Sequence, residues 1–334
     1  MKGSRGGCEQ GTFLCRPSPF ETEMKPIQNS QLAGLLEDIL GDELEAFIEW
    51  MSQPLPNSIR INTLKVERDE LIGRLESQGF RLKPLDFYDA AFRVEHEPFP
   101  IGKTLEHFLG HFYVQELASM IPPLVLEPKP GEKVLDIAAA PGSKTTQMAQ
   151  MMENTGVIVA NDVNIDRIRA LSHNIDRLGV LNTIITEFDG YKFGFLTPNI
   201  FDKVLIDAPC SALGTLHRSP EVARWWSWGR VGMLVRTQRA LILAGYQALK
   251  PGGVMVYSTC TLVPEENEGT VDFLLSRHPE AEVLPFQDFG FKMDEALVGW
   301  RRKTYDPKVK AARRLYPHRN KTEGFFIAKI RKPT

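Results

Sequence analysis

The sequence predicts an α/β protein with a mostly parallel central sheet, preceded by a small α+β module. After about residue 128, short apolar runs alternate with amphipathic stretches, the pattern of parallel strands covered by helices on both faces. The chain has 334 residues, 43% apolar and 25% charged, so disordered, collagenous and coiled-coil classes are excluded. We expect a flexible tail over residues 1–26, the module over 27–112 and the larger domain over 113–334.

The module should begin with one long amphipathic helix. Apolar residues recur at helical spacing across residues 32–48, and Pro54 would end the helix. Residues 58–64 alternate like a strand. A second helix is expected over residues 69–78, with Gly79 as its stop.

The larger domain should contain five buried strands with helices between them. The strands are predicted over residues 134–138, 157–160, 183–185, 204–206 and 254–257, and the helices over residues 145–152, 165–178, 233–249 and 265–275. In such sheets the ligand binds outside the carboxyl ends of the strands, where the strand order reverses. Functional residues are therefore expected directly after the strands.

A turn of small residues joins the first of these strands to the first helix. Residues 138–143 read Ala-Ala-Ala-Pro-Gly-Ser, and small side chains let backbone amides approach a ligand at a helix N-terminus, which favours negative charge. A P-loop is disfavoured because Ser143, rather than Gly, precedes Lys144. The dinucleotide fingerprint needs three glycines, and this turn offers Gly142 alone.

Two acidic residues follow the next strands. Asp162 ends the second strand, where a carboxylate can accept hydrogen bonds from both hydroxyls of a ribose. Asp189 follows the third strand and could meet an adenine amino group. These features favour an adenosine ligand without a pyrophosphate, for which S-adenosylmethionine is the commonest candidate. The alternative is a structural turn of the kind that any parallel α/β protein can carry.

Two cysteines come directly after strands. Cys210 lies in Asp207-Ala-Pro-Cys-Ser after the fourth strand, and Cys260 lies in Tyr257-Ser-Thr-Cys-Thr after the fifth. A single cysteine is usually a small buried apolar residue. A pair at matching strand ends, beside the expected cofactor turn, instead favours chemistry.

A thiol pair at this place suits methylation of a pyrimidine. Carbon 5 of cytosine becomes nucleophilic when a thiolate adds to carbon 6, and a second thiol can assist release of the product. A carboxyl such as Asp207 would stabilise the adduct near the ring nitrogen and the exocyclic amine. Attack at neutral pH requires an electropositive setting, for which Lys144, Arg218 and His318 are candidates.

Basic residues are concentrated at the C-terminus. Residues 301–334 hold twelve Lys/Arg and two acids, a net charge of +10, whereas the first 300 residues carry −12. This asymmetry favours a surface that faces a polyanion, with a solvated face or pairing with the acidic remainder as the alternative. Trp225, Trp226 and Trp228 could stack nucleobases or pack into a core.

Seven stretches of the chain, in order over residues 30–332, resemble the Sun (NOL/NOP/Sun) family of RNA cytosine-5 methyltransferases. They are Arg60-Ile-Asn-Thr, Gly110-His-Phe-Tyr-Val-Gln-Glu, Asp136-Ile-Ala-Ala-Ala-Pro-Gly-Ser-Lys-Thr, Asp207-Ala-Pro-Cys-Ser, Tyr257-Ser-Thr-Cys-Thr, Pro264-Glu-Glu-Asn-Glu, and Pro317-His-Arg with Gly324-Phe-Phe. The resemblance implies a Rossmann-like class I methyltransferase sheet with a small RRM-like N-terminal domain that binds RNA.

The resemblance also implies roles for individual residues. Cys260 would be the nucleophile, Cys210 the thiol that aids release of methylated RNA, Asp207 the group that holds cytosine, and Lys144 a further catalytic residue. The S-adenosylmethionine pocket would comprise Ala138, Ala139, Ala140, Pro141, Gly142, Ser143, Lys144, Asp162, Arg167, Asp189 and Asp207. RNA contacts are expected from Arg60, Asn62, Arg218, His318 and Arg319.

Two positions depart from the family's usual wording. Ala212 stands where Asp-Ala-Pro-Cys-Ser normally continues with Gly, and Thr261 replaces the Ser after the second cysteine. Both changes are small, so the expected activity stands. Possession of both thiols favours RNA over DNA, since DNA cytosine methyltransferases attack with the Pro-Cys thiol.

The substrate class is the most open point. The chain resembles short, archaeal-type members, for which we expect tRNA first and rRNA second. A non-catalytic ribosome-assembly factor and a small-molecule methyltransferase are the alternatives. The apolar runs are too short to span a membrane, and the N-terminus does not resemble a secretory signal, so we expect a cytoplasmic monomer. Cys8 and Cys15 have no neighbouring ligands, and no metal site is expected.

Overall fold

The structure, a computed structural model, describes residue 27 and residues 29–334, so the expected tail, with Cys8 and Cys15, lies outside the described residues. The helices are α1 (Ser30–Leu40), α2 (Leu44–Met51), α3 (Arg68–Ser77), α4 (Leu105–Phe108), α5 (Leu117–Leu126), α6 (Ser143–Met151), α7 (Ile165–Leu178), α8 (Phe193–Leu196), α9 (Val222–Trp225), α10 (Trp228–Ala248), α11 (Glu268–Arg277) and α12 (Pro317–Asn320). The strands are β1 (Ser58–Ile61), β2 (Arg81–Pro84), β3 (Ala91–His96), β4 (Phe112–Val114), β5 (Lys133–Asp136), β6 (Val157–Asp162), β7 (Thr183–Glu187), β8 (Phe201–Asp207), β9 (Leu249–Thr259), β10 (Glu282–Leu284), β11 (Met293–Glu295), β12 (Gly299–Trp300), β13 (Lys303–Thr304), β14 (Arg313–Leu315) and β15 (Phe325–Arg331).

A four-stranded antiparallel sheet forms the small module, in the order β2-β3-β1-β4. The predicted helix over residues 69–78 is confirmed as α3, whose Leu71 and Leu75 pack on Ile59 and Ile61 of the sheet. Gly79 follows α3 with φ at +91°, a conformation that glycine adopts without strain. The apolar period therefore placed this helix correctly.

The prediction of one long N-terminal helix is wrong. Gly41 adopts φ of +51° and ends α1, and a 3₁₀ turn over Gly41–Glu43 leads into α2. Leu32 and Phe47 of these two helices pack in the same core as Leu213 and Trp226 of the larger domain. The apolar face was correctly identified, but a glycine in the left-handed region breaks the helix.

The larger sheet has nine strands, eight of them in the order β11-β14-β15-β9-β8-β5-β6-β7, with β10 paired to β15. The five predicted strands are confirmed as β5 to β9, and all four pairings among them are parallel. The sheet is Rossmann-like. Since β5 pairs with both β6 and β8, the strand order reverses there and opens the edge where ligands bind.

The C-terminal part of this sheet was not predicted. The strand β15 pairs antiparallel with β9, and β14 and β11 follow it. Residues 325–328 are buried in the sheet. The prediction for this region rested on its charge and overlooked the apolar run Phe-Phe-Ile-Ala. Over the described part of the chain, the helices are too short or too polar to span a membrane.

Candidate active site

The structure brings the two predicted thiols together at the carboxyl edge of the sheet. Cys210 follows β8, Cys260 follows β9, and their Sγ atoms lie 3.2 Å apart. Both thiols are free, since a disulfide bond is about 2.05 Å long. Backbone hydrogen bonds fix the loops, because the amide of Gly214 donates to the carbonyl of Cys260 and that of Gly324 to the carbonyl of Gly214.

A buried carboxyl group ties the two thiol loops to helix α10. Glu266 Oε2 accepts hydrogen bonds from the amide of Ser211 at 2.9 Å and from Gln238 Nε2 at 2.9 Å. Gln238 also donates to the carbonyl of Pro209 at 2.8 Å. The Ser211 and Thr261 hydroxyls lie 2.8 Å apart, so the residue that departs from the family's usual serine keeps the polar link. Burial raises the pKa of Glu266, although these hydrogen bonds oppose the shift.

Lys144 and Asp207 form an ion pair beside the thiols. Lys144 Nζ lies 2.7 Å from Asp207 Oδ2 and donates to Ser119 Oγ at 3.0 Å, while Ser258 Oγ donates to Asp207 Oδ1 at 2.8 Å. Burial disfavours the ammonium ion, but the Asp207 carboxylate outweighs this and raises the pKa of Lys144, with a further contribution from Cys260. The site therefore holds a permanent cation close to the Cys260 sulfur.

The two thiols lie in different electrostatic surroundings. The hydrogen bond to Cys260, followed by burial and the nearby Glu266, raises the pKa of Cys210 well above the ordinary thiol value. Cys210 is therefore a protonated donor at neutral pH. Cys260, in contrast, interacts electrostatically with the ammonium group of Lys144. The two thiols are therefore not equivalent, since Cys260 interacts with a cation and Cys210 lies near the buried Glu266.

The predicted cofactor turn surrounds a buried carboxylate. Asp162, 2% exposed, ends β6 and accepts hydrogen bonds from the amides of Ala140 at 3.3 Å and Asn164 at 3.1 Å. Arg167 lies 3.3 Å from Asp162 and donates to the carbonyl of Ala140 at 2.5 Å. Gly142 immediately precedes α6 with φ at +100°. A carboxylate next to small residues at a helix start provides the donors and acceptors that an adenosine ligand requires.

The remaining members of the predicted pocket lie at the same edge of the sheet. Ala138 and Ala139 follow β5, and Asp189 follows β7, where it pairs with Lys192 at 3.2 Å. Asp136, at the end of β5, was not predicted as a titrating group. Burial raises the pKa of Asp136 to about 7, although its hydrogen bond from Thr145 opposes the shift.

Three further polar residues at the site were missed as functional candidates. They are Ser119, Ser258 and Glu266, which orient Lys144, Asp207 and the thiol loops. Ser258 and Glu266 lie in stretches that carried the family resemblance, and Ser119 follows one of them. Their position in or next to those stretches was the signal that could have identified them as functional residues. Their roles could not be predicted, because the residues that they contact are distant in sequence.

Arg60 and Asn62 do not form an RNA surface, which corrects the prediction for both. Arg60 is 0% exposed, and its guanidinium donates to Gln115, to the carbonyl of Ser143 at 2.7 Å and to Thr146 at 2.8 Å. Asn62 donates to the carbonyls of Gly110 and Leu178, each at 2.8 Å. Both side chains fasten the small module to the helices of the larger domain.

His318 and Arg319 are also committed to contacts within the chain. His318 Nε2 lies 2.8 Å from Glu43, and Arg319 pairs with Glu43 and with Asp294 at 2.8 Å. Their interaction lowers the pKa of Glu43 to about 2. Both side chains therefore have acidic partners within the chain, and RNA contact at His318 and Arg319 stays a prediction. Arg218 stays partly exposed, 3.6 Å from Glu323.

The basic C-terminal segment is largely neutralised. Of its twelve basic side chains, seven form ion pairs with acidic residues, namely Arg301, Lys310, Arg313, Arg314, Arg319, Lys329 and Arg331. Arg314 is buried, with Nε 2.5 Å from Glu268. The alternative, pairing with the acidic remainder, therefore holds for these seven side chains.

The three tryptophans divide between core and surface. Trp226 is 2% exposed and packs in the core, while Trp225 and Trp228 are half-buried. Trp226 and Trp228 meet edge to face, with ring centroids 5.2 Å apart. A stack of three exposed indoles is therefore excluded, although two rings remain accessible.

Comparisons with known proteins agree with this geometry. A family model described as 16S rRNA methyltransferase RsmB/F matches residues 123–331, and one described as the N-terminal domain of 16S rRNA methyltransferase RsmF matches residues 30–117. A tRNA (cytosine(49)-C(5))-methyltransferase of Pyrococcus abyssi is 47% identical over 296 residues, which cover 87% of this chain and 93% of that protein.

Other relatives are longer or have solved structures. Ribosomal RNA small subunit methyltransferase F of Pectobacterium atrosepticum is 39% identical over 95% of this chain, which spans only 62% of that protein. A methyltransferase homologue from Pyrococcus horikoshii is 40% identical, with a TM-score of 0.81 over 92% of this chain and 96% of its own. NSun6 from Pyrococcus horikoshii, solved with SFG, is 28% identical, with a TM-score of 0.76 over 91% of this chain and 98% of its own.

Proposed function

We propose that Cys260 is the nucleophile and tRNA the substrate of this chain, which belongs to the Sun family and is an S-adenosylmethionine-dependent RNA cytosine-5 methyltransferase. The observation that carries the assignment of the nucleophile is the pair of thiols 3.2 Å apart beside the buried ion pair of Lys144 and Asp207. The division into an RNA-binding module over residues 27–112 and a catalytic domain over residues 113–334 is part of the proposal.

The side chains of the site provide for activation of cytosine. The Cys260 thiolate adds to carbon 6, the Sγ–C6 bond forms, and the electrons of the C5–C6 double bond make carbon 5 nucleophilic. Lys144 stabilises the negative charge that spreads over the ring. Asp207 accepts a hydrogen bond from the exocyclic amine and orients the base. When bound, S-adenosylmethionine supplies an electrophilic methyl group.

Release of the product depends on the second thiol. After methylation, carbon 5 gives up its proton to water, the C5–C6 double bond re-forms and the Sγ–C6 bond breaks. Cys210 remains protonated because its pKa is raised by the hydrogen bond to Cys260 and by burial. Its S–H therefore donates to the departing Cys260 thiolate and stabilises it.

The cofactor residues follow from the same geometry. Asp162 would bind the ribose hydroxyls, and Asp189 at the next strand end would meet the adenine. The small residues Ala138 to Ser143 would let the methionine part approach the turn, next to Lys144 and Asp207. Arg167 holds the Asp162 carboxylate and the turn in place.

The choice of tRNA rests on sequence identity. The tRNA-modifying relative is 47% identical over 87% of this chain, whereas the ribosomal relative is 39% identical over 95% of it. We further propose that the protein is cytoplasmic and monomeric. Sedimentation equilibrium of the full chain would test the monomeric state.

Transfer of labelled methyl groups tests the proposed substrate. We expect the full chain to methylate unmodified tRNA transcripts at a single cytosine, with kcat/KM higher than for 16S rRNA fragments or 30S subunits. Bisulfite sequencing of the products would locate the cytosine. Preference for rRNA under the same conditions would reject the tRNA assignment while leaving the cytosine chemistry intact.

A further inference from the structure

A basic and aromatic surface lies where helix α10 begins, next to the hairpin of β12 and β13. We propose that this surface binds the phosphate backbone of the RNA substrate outside the target cytosine. This inference rests on the proposed function, because it assigns a binding surface to the same substrate. The Arg–Trp surface is defined by Trp225, Trp228, Arg230, Arg239, Arg301, Arg302 and Lys303.

Two arginines on this surface are held flat against tryptophans. The guanidinium carbon of Arg230 lies 4.3 Å from the ring centroid of Trp225, and that of Arg301 lies 5.0 Å from that of Trp228. A stacked guanidinium has little side-chain freedom left to lose. Arg230 forms no ion pair among the described residues, so its N–H edge is available for bidentate contacts, whereas Arg301 also pairs with Asp38. Such arginines are preorganised for phosphate oxygens.

A groove separates α10 from the hairpin formed by β12 and β13. Trp228, Val235 and Arg239 line its helical side, and Arg301 and Lys303 line the other. Its volume of about 240 Å³ is below the roughly 300–1,000 Å³ of small-molecule pockets. An open groove of this size suits a chain that passes along it rather than an enclosed metabolite.

The charge of this surface is not cancelled locally. Within residues 29–334, Arg230, Arg302 and Lys303 form no ion pair, in contrast to most basic residues of the C-terminal segment. Two acids lie nearby: Asp38 pairs with Arg301 at 2.8 Å, and Glu265 accepts the indole N–H of Trp300 at 3.1 Å. Five basic groups against these two acids favour a polyanion as the occupant.

Helix α10 connects this surface to the thiols. Gln238 precedes Arg239 on the helix and donates to the carbonyl of Pro209, the residue before Cys210. One face of α10 therefore supports the catalytic loop while the adjacent face lines the groove. The helix that supports the catalytic loop therefore also lines the groove proposed for the RNA backbone.

A matched pair of double variants tests the inference. The test variant is Arg302→Ala with Lys303→Ala, and the control is Lys310→Ala with Arg331→Ala, exposed residues that are ion-paired elsewhere. We expect the test variant to raise KM for tRNA about 10-fold with kcat at saturating RNA unchanged. The slope of log Kd against log salt should decrease by roughly 0.7–0.9 for each phosphate that the variant no longer neutralises.

The control variant should retain the wild-type KM and salt slope. Equal effects in the two double variants, or unchanged RNA affinity in the test variant, would overturn the assignment of this surface. RNA affinity is also measured by filter retention, so the inference remains testable without turnover. Failure of the proposed function would differ from failure of this inference, because the wild-type chain would then bind RNA without methylating tRNA.

Discussion

The loop after β8 and the loop after β9 each present one thiol at the same edge of the sheet, yet their surroundings differ. Cys210 faces the side on which Glu266 is buried, and its hydrogen bond to Cys260 and its burial raise its pKa. Cys260 faces the Lys144–Asp207 ion pair, where its charge contributes to the raised pKa of Lys144. The two sulfurs therefore lie in different acid–base environments although they are only 3.2 Å apart.

This difference shows how similar short sequences acquire different surroundings. Pro-Cys-Ser and Thr-Cys-Thr both place a cysteine next to small polar residues at a strand end. The distinction comes from groups remote in sequence, since Lys144 lies on α6 and Glu266 precedes α11. A cation held close favours a thiolate in general, whereas the hydrogen bond to the neighbouring sulfur and burial keep the Cys210 thiol protonated.

Removal of the proposed nucleophile should have the largest effect. Cys260→Ala is expected to lower the methylation rate at least about 10⁴-fold, because carbon 5 of cytosine is not activated without the adduct. S-adenosylmethionine binding, measured by calorimetry, should persist, since the cofactor turn is built from other residues. Measurable turnover by this variant at the wild-type site would reject the nucleophile.

Deletion of the second thiol should separate adduct formation from release. Cys210→Ala is expected to reduce steady-state turnover about 10²-fold or more, because no S–H stabilises the departing thiolate. A covalent complex of protein and RNA should accumulate and migrate slowly on denaturing gels. Its absence in the double variant with Cys260→Ala is the control. Normal release without any covalent complex would show that Cys210 does not assist release of the product as proposed.

The cation that distinguishes the two loops can be tested directly. Lys144→Met should slow formation of the adduct about 10²- to 10³-fold, since it removes the charge that stabilises the activated ring. Lys144→Arg keeps the charge and serves as the matched control, expected to retain more of the rate. An unchanged rate in the methionine variant, measured in single turnovers, would remove the electrostatic basis of the comparison.

The parts of the fold that could be predicted were those with local signals. The strands β5 to β9 and the cofactor turn follow from apolar runs bounded by small residues. The thiols were located for the same reason, because residues after parallel strands share one edge. Their surroundings could not be predicted, since Ser119 and Lys144 meet only when α5 packs on α6.

The unforeseen contacts involve partners that are distant in sequence. Arg319 was expected to contact RNA, and Glu43, 276 positions away, pairs with it. Arg60 was expected on a surface, but it is buried against α6 with no acidic partner among the described residues, and burial lowers its pKa to about 10. Net charge along a sequence predicts a surface potential only when such pairs are absent.

The smallest predicted effect concerns Glu323. The next residue, Gly324, donates its amide hydrogen to the carbonyl of Gly214, and the amide of Gly214 donates to the carbonyl of Cys260. Burial and the neighbouring Glu116 raise the pKa of Glu323 to about 8, with Arg218 and Lys144 opposing them and Asp207 adding to the rise. Below about pH 4.5 both folded and unfolded chains hold the proton. Between about pH 4.5 and 8 the folded chain alone retains it, so stability falls as the pH rises.

Glu323→Gln should remove this part of the pH dependence. Relative to wild type, the variant should gain on the order of 1–3 kcal/mol of unfolding free energy between pH 5.5 and pH 8.5, measured by urea denaturation. Asp136 and Glu266 shift in the same direction but are present in both proteins, so the difference reports on Glu323 and on the Glu116 carboxyl that interacts with it. An identical pH dependence in the two proteins would contradict the raised pKa of Glu323.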